Sequence, residues 1–142
     1  MLHAALLLAF AHRRWCAAEG GLHRLALQGL GGAAAAKRAP RPTAASVVVT
    51  LLSCNFVGIV AARTLHYQFY TWYFHALPLL LWHAPLPTPL RLALWLGIEA
   101  SFNVFPATAS SSALLQLCHV VLLGALWRAT PPPVSEAEPH RD

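Results

Sequence analysis

From Ser46 to Ala62 the chain carries no charged side chain, and three further apolar stretches follow, Phe69–His83, Leu90–Phe105 and Ala113–Trp127. Arg91 and Glu99 are the only charges within all four. A soluble domain carries about 25% charged residues, whereas this sequence has 11%, with 57% apolar residues and a mean hydropathy of +0.52. A soluble fold of this size needs a charged surface that the sequence does not provide. Lipid is the solvent it suits.

A pI near 9.7 raises nucleic acid as a partner. The cations, however, cluster between apolar runs instead of forming an exposed helical stripe, which is a membrane-topology pattern. No nucleic-acid partner is expected. Cys16, Cys54 and Cys118 are odd in number and lack CxxC spacing, so they indicate neither a zinc site nor a disulfide framework. Asn55 and Asn103 do not start glycosylation sequons.

The opening run Ala4–Phe10 is too short to cross a bilayer, and its positive charges, Arg13 and Arg14, follow it instead of preceding it as in a secretory signal. Residues 1–12 therefore read as the end of a helix begun upstream or as an interfacial anchor, in a chain truncated at its N-terminus. Residues 13–45 form a basic, Gly- and Pro-containing loop. Six of the ten Lys and Arg residues lie between Arg13 and Arg41, against the single acid Glu19, so the loop is placed on the cytoplasmic side. Within it, Leu22–Leu30 can lie on the membrane surface as a short amphipathic helix.

Residues 46–127 are expected to form four short transmembrane helices, about 46–62, 69–83, 90–105 and 113–127. Joining the first two would give a helix of roughly 57 Å, nearly twice the hydrocarbon core, so a reversal is expected between Arg63 and Gln68. Pro85, Pro87 and Pro89 mark the next turn, and Pro106 with Ser110–Ser112 the last, with Ser112 as N-cap. Four crossings put Arg91 and Arg128 at cytoplasmic ends and leave Arg63 across the membrane. Residues 128–142 read as a disordered cytoplasmic tail.

Polar side chains in an apolar chain need a partner or a purpose. The densest group runs from Arg63 to His75: Arg63, His66, Tyr67, Gln68, Tyr70, Trp72, Tyr73 and His75. A helix there sets Tyr67, Tyr70 and Phe74 on one side and Gln68, Trp72 and His75 on the other. An interfacial aromatic belt accounts for the tyrosines. A lined cavity accounts for the cations as well, with Arg63 and His66 on a lipid phosphate and the aromatic residues and Gln68 against a sugar. Both readings stand. Glu99 and Asn103, four apart, share a helix face, and structural pairing of Glu99 with Arg63 or Asn103 is expected ahead of catalysis. Gln116 and His119 are expected to bond between helices. No Asp-x-Asp metal motif, Gly-rich phosphate loop or Ser/His/Asp set is present, and no pair of carboxylates suits acid/base work at a sugar.

The run Ser53-Cys54-Asn55-Phe56-Val57-Gly58-Ile59, followed by Arg63 to Pro78, closely resembles the dolichyl-phosphate-mannose-dependent alpha-1,3-mannosyltransferases of N-glycan assembly. The likeness continues in Ile98 to Thr108, in Ser111–Ala113 and in Leu117–His119. It covers about Arg41 to Trp127, with a weak match before that. The resemblance implies an all-α, polytopic GT-C glycosyltransferase of the endoplasmic reticulum membrane, of which this is the C-terminal part. It implies dolichyl-phosphate-mannose as donor, with no further cofactor and no metal. The acceptor would be the dolichyl-diphosphate-linked Man5GlcNAc2 glycan.

Members of that class use a luminal-loop aspartate near the N-terminus as base. This chain has no such loop, so no catalytic residue is assigned to it. Its expected share is substrate binding through Arg63, His66, Tyr67, Gln68, Tyr70, Trp72, Tyr73 and His75, with Glu99, Asn103, Gln116 and His119 as structural polar residues. The chain is thus expected to be a fragment or short isoform, inactive alone. The alternative is a small non-catalytic membrane protein that binds dolichyl phosphate or regulates the complete enzyme.

Overall fold

Prolines and hydroxyls decide where the helices of this chain begin. The computed structural model describes residues 2–30, 41–62, 67–131 and 134–135. Their regular structure is helical apart from one two-residue pairing. The elements are α1 (Leu2–Phe10), a π-helical turn (Ala11–Trp15), α2 (Leu22–Leu30), β1 (Arg41–Pro42) and α3 (Ala44–Val60). Then come α4 (Tyr67–Tyr73), a 3-10 turn (Phe74–Ala76), α5 (Leu77–His83), α6 (Thr88–Phe102), α7 (Ala109–Arg128) and β2 (Val134–Ser135). The chain divides into two units, Met1–Thr50 with Thr130–Asp142, and Leu51–Ala129. The boundary falls within α3.

In the first unit, Phe10 is buried and its ring lies 5.9 Å from that of Trp15. Gly20 and Gly21 adopt φ of 82° and 94°, values that L side chains rarely take. A Cβ on Gly21 would also stand 2.7 Å from the His12 ring. This turn starts α2 where the sequence predicts a surface helix, and Leu25, Leu27 and Leu30 on it are exposed. Most of the tail expected to lack structure lies outside the described residues. Within it, Val134–Ser135 pairs antiparallel with Arg41–Pro42. Thr43 caps α3: its hydroxyl accepts from the Ser46 amide at 3.2 Å, and the Ser46 hydroxyl donates to the Thr43 carbonyl at 2.8 Å.

In the second unit, Pro78 lacks the N–H that would continue the α4 ladder, so the backbone tightens through Phe74–Ala76 and restarts as α5. Pro89 occupies the first turn of α6, where a missing N–H costs little. The guanidinium of Arg91 donates to the Ala84 carbonyl at 3.2 Å and lies 5.3 Å over the Trp82 ring, tying the turn before α6 to α5. The cap of α7 is Thr108, not Ser112. Thr108 and Ser111 form a reciprocal capping box, which starts the helix four residues earlier than expected and lengthens it to 20 residues.

Helices α6 and α7 pack on each other through a hairpin. Gly97 permits the approach, because a Cβ there would stand 2.9 Å from Cys118 Sγ. Ser111, Leu115, Cys118, His119, Leu122, Ala125 and Leu126 form the buried stripe of α7, while Leu114, Leu117 and Val120 are exposed. Among the described residues α7 alone is long and apolar enough to cross a membrane; α3 is apolar but has 17 residues.

Candidate functional site

The aromatic segment is held in place by residues scattered along the second unit. Asn55 on α3 donates its side-chain amide to the Trp72 carbonyl at 3.1 Å, meeting one of the acceptors that the end of α4 leaves unpaired. The phenol of Tyr70 donates to the Glu99 carboxylate on α6. Asn103 donates to the other Glu99 oxygen at 3.3 Å and to the Glu99 carbonyl at 2.8 Å. Both carboxylate oxygens therefore have donors from neutral partners, and pairing with Asn103 is observed as the spacing predicts. Ser101, buried one turn after Gly97, satisfies its hydroxyl on the Gly97 carbonyl at 2.7 Å.

Beneath this polar cluster lies an aromatic core. Tyr73 and His119 are both 0% exposed, and the Tyr73 hydroxyl bonds His119 Nε2 at 2.9 Å. Phe56 meets the His119 ring edge-on at 5.6 Å and lies 6.1 Å from Tyr73. Phe102 packs between Tyr70 and Tyr73, at 4.8 and 6.3 Å. Such tilted and edge-on pairs each add about 0.5–1.5 kcal/mol beyond burial. Helices α3, α4, α6 and α7 are locked together through these rings.

Along α4 Gln68 and Trp72 are exposed and Tyr70 is half-buried, as the helical spacing predicts, and His75 in the 3-10 turn after it is exposed as well. Tyr73, expected among the binding residues, is sealed in the core with its hydroxyl on His119. Arg63 and His66 lie outside the described residues, as does the side chain of Tyr67. His119 bonds between helices as expected, but Gln116 is exposed instead of bridging. Asn55 was missed as an anchoring residue. Its signal was available, since an amide inside an uncharged helix needs a partner. Among the described residues no three His, Cys, Asp or Glu side chains form a metal-binding group.

The arrangement is a set of packed rings on one side of α4, with the Gln68 amide, the Trp72 indole and, in the turn after it, the His75 imidazole exposed. That surface can stack on an apolar ring face and hydrogen-bond hydroxyls around it.

No solved structure matches this chain. Among curated proteins, the "Dol-P-Man:Man(5)GlcNAc(2)-PP-Dol alpha-1,3-mannosyltransferase" of Arabidopsis thaliana is 45% identical over 135 residues, covering 89% of this chain and 31% of that protein. The protein of the same name from Homo sapiens is 43% identical over 142 residues, covering 97% of this chain and 31% of its own length. That from Mus musculus is 46% identical over 129 residues, covering 88% and 28%. The chain thus spans about a third of the length of these relatives. The profile of the family described as "ALG3 protein" matches residues 1–112, and the chain belongs to that family.

Proposed function

We propose that this chain forms part of a membrane enzyme that transfers mannose from dolichyl-phosphate-mannose, in alpha-1,3 linkage, to the Man5GlcNAc2 glycan on dolichyl diphosphate. The observation that carries this is the 43% identity to the human mannosyltransferase across 97% of the chain. The enzyme is of the GT-C type, is multi-pass and resides in the endoplasmic reticulum. The short apolar helices before α7 support the multi-pass reading through their composition, since Phe69–His83 carries no charge.

Within that reaction this chain supplies binding and positioning. Gln68, Trp72 and His75, exposed beside Tyr70, form the sugar-facing surface, and Arg63 and His66 hold the donor phosphate. An inverting transfer needs a base at the acceptor hydroxyl. Glu99 is a poor one, because both its oxygens are occupied by Tyr70 and Asn103. The base therefore comes from elsewhere in the full-length enzyme.

The test is a chimera in cells that lack the enzyme and accumulate the Man5 lipid-linked glycan. This segment, exchanged into the human relative, should restore conversion, whereas the chain expressed alone should not. A membrane-inserted chimera without activity would overturn the reading.

A further inference from the structure

At the other end of the α6–α7 hairpin from the Tyr70–Glu99 cluster lies a cavity of about 440 Å³. It is lined by the Pro85–Leu86 turn and by α7 from Val120 to Arg128. Along α7 the lining runs from Val120 and Val121 through Gly124 and Ala125 to Trp127 and Arg128 at the C-terminal end of the helix. That order covers eight residue steps, roughly 12 Å along the helix axis.

Two observations make this a binding groove and not a packing defect. A Cβ built on Gly124 meets no heavy atom within 4 Å, so the middle of the groove is open to an occupant. Arg128 is exposed and has no ion-pair partner among the described residues. An indole and a guanidinium at the end of a helix, after a run of apolar side chains, match the bilayer interface, where amphipathic rings and cations sit at headgroup depth.

We infer that this groove binds one anionic phospholipid, with an acyl chain along Val120–Ala125 and the headgroup phosphate on Arg128. The polarity gradient selects the ligand class, because the occupant must be apolar over about 12 Å and anionic at one end. The site is distinct from the proposed sugar surface and stands whether or not that reading holds.

The test is native mass spectrometry of the full chain in mild detergent, titrated with dioleoyl phosphatidic acid and, in parallel, dioleoyl phosphatidylcholine. One phosphatidic acid adduct should be retained in preference to phosphatidylcholine. Gly124→Leu fills open space, so it should leave the circular dichroism spectrum unchanged while removing the adduct. Arg128→Gln should weaken phosphatidic acid retention about fivefold, the effect of one cation at a membrane surface, and erase the preference over phosphatidylcholine. Equal retention by the Gly124→Leu chain, an unchanged preference in Arg128→Gln, or a dimer in place of the lipid adduct would each overturn the assignment.

Discussion

The hydroxyl of Tyr73 and Nε2 of His119, 46 residues apart in sequence, meet at 2.9 Å in a site from which solvent is excluded. This contact joins the aromatic segment to α7, the longest helix among the described residues, and places a polar pair within an apolar unit. Removing either partner leaves the other buried and unmatched. His119→Leu is expected to destabilise the detergent-solubilised chain by about 1–3 kcal/mol, the cost of an orphaned buried polar group. Tyr73→Phe, which keeps the ring, should cost a similar or smaller amount. The double variant should cost less than the two single changes added together. Denaturant titration followed by circular dichroism checks all three, and strict additivity would show that the bond contributes nothing.

The link between Tyr70 and Glu99 joins α4 to α6. A double-mutant cycle with Tyr70→Phe and Glu99→Ala is expected to give a coupling of about 0.5–1.5 kcal/mol, the net worth of an ordinary side-chain hydrogen bond. In a full-length relative carrying the same pair, Tyr70→Phe should raise KM for the glycan acceptor with less effect on kcat if the phenol positions the proposed sugar-facing surface.

Gly97 sets how closely α6 approaches α7. Since a Cβ there would stand 2.9 Å from Cys118 Sγ, Gly97→Val should destabilise the hairpin by about 1–3 kcal/mol through overpacking. Cys118→Ala in the same chain should recover much of that loss. Thermal unfolding of the four chains distinguishes this clash from a change in helix propensity, which Cys118→Ala would not relieve.

Cys16 lies in the basic segment ahead of the apolar stretches. Burial, and secondarily the Glu19 carboxylate, raise its thiol above the ordinary value. At a given pH near neutrality it therefore holds less thiolate than a free cysteine, and alkylation is slower. In a Cys54→Ser, Cys118→Ser background, the alkylation rate should rise only at more alkaline pH than for a model thiol. Glu19→Gln should move that rise toward lower pH. An identical profile in the Glu19→Gln chain would remove the carboxylate from the account.

The structure also explains what could be read in advance and what could not. Helix type follows from local chemistry, so α2, α3 and α6 stand within a few residues of the runs read from the sequence, whereas the single helix expected over 69–83 is divided ahead of Pro78 into α4, a 3-10 turn and α5. The two faces of α4 follow from helical periodicity, and Glu99 with Asn103 from their four-residue spacing. The start of α7 was misplaced because Thr108, Ser110, Ser111 and Ser112 are all competent caps, and the reciprocal bond between Thr108 and Ser111 selects among them.

What the sequence alone determined is the solvent the chain suits, its helical character and its family likeness, because these rest on composition, periodicity and runs of residues close together. Which rings would meet was decided only by tertiary structure. Helical periodicity says that Tyr73 and Trp72 point apart but not which of the two is covered; Tyr73 is sealed in the core and Trp72 is 61% exposed. Their fates diverge because adjacent positions on a helix point about 100° apart, and the packing of α3, α6 and α7 covers one direction and leaves the other open.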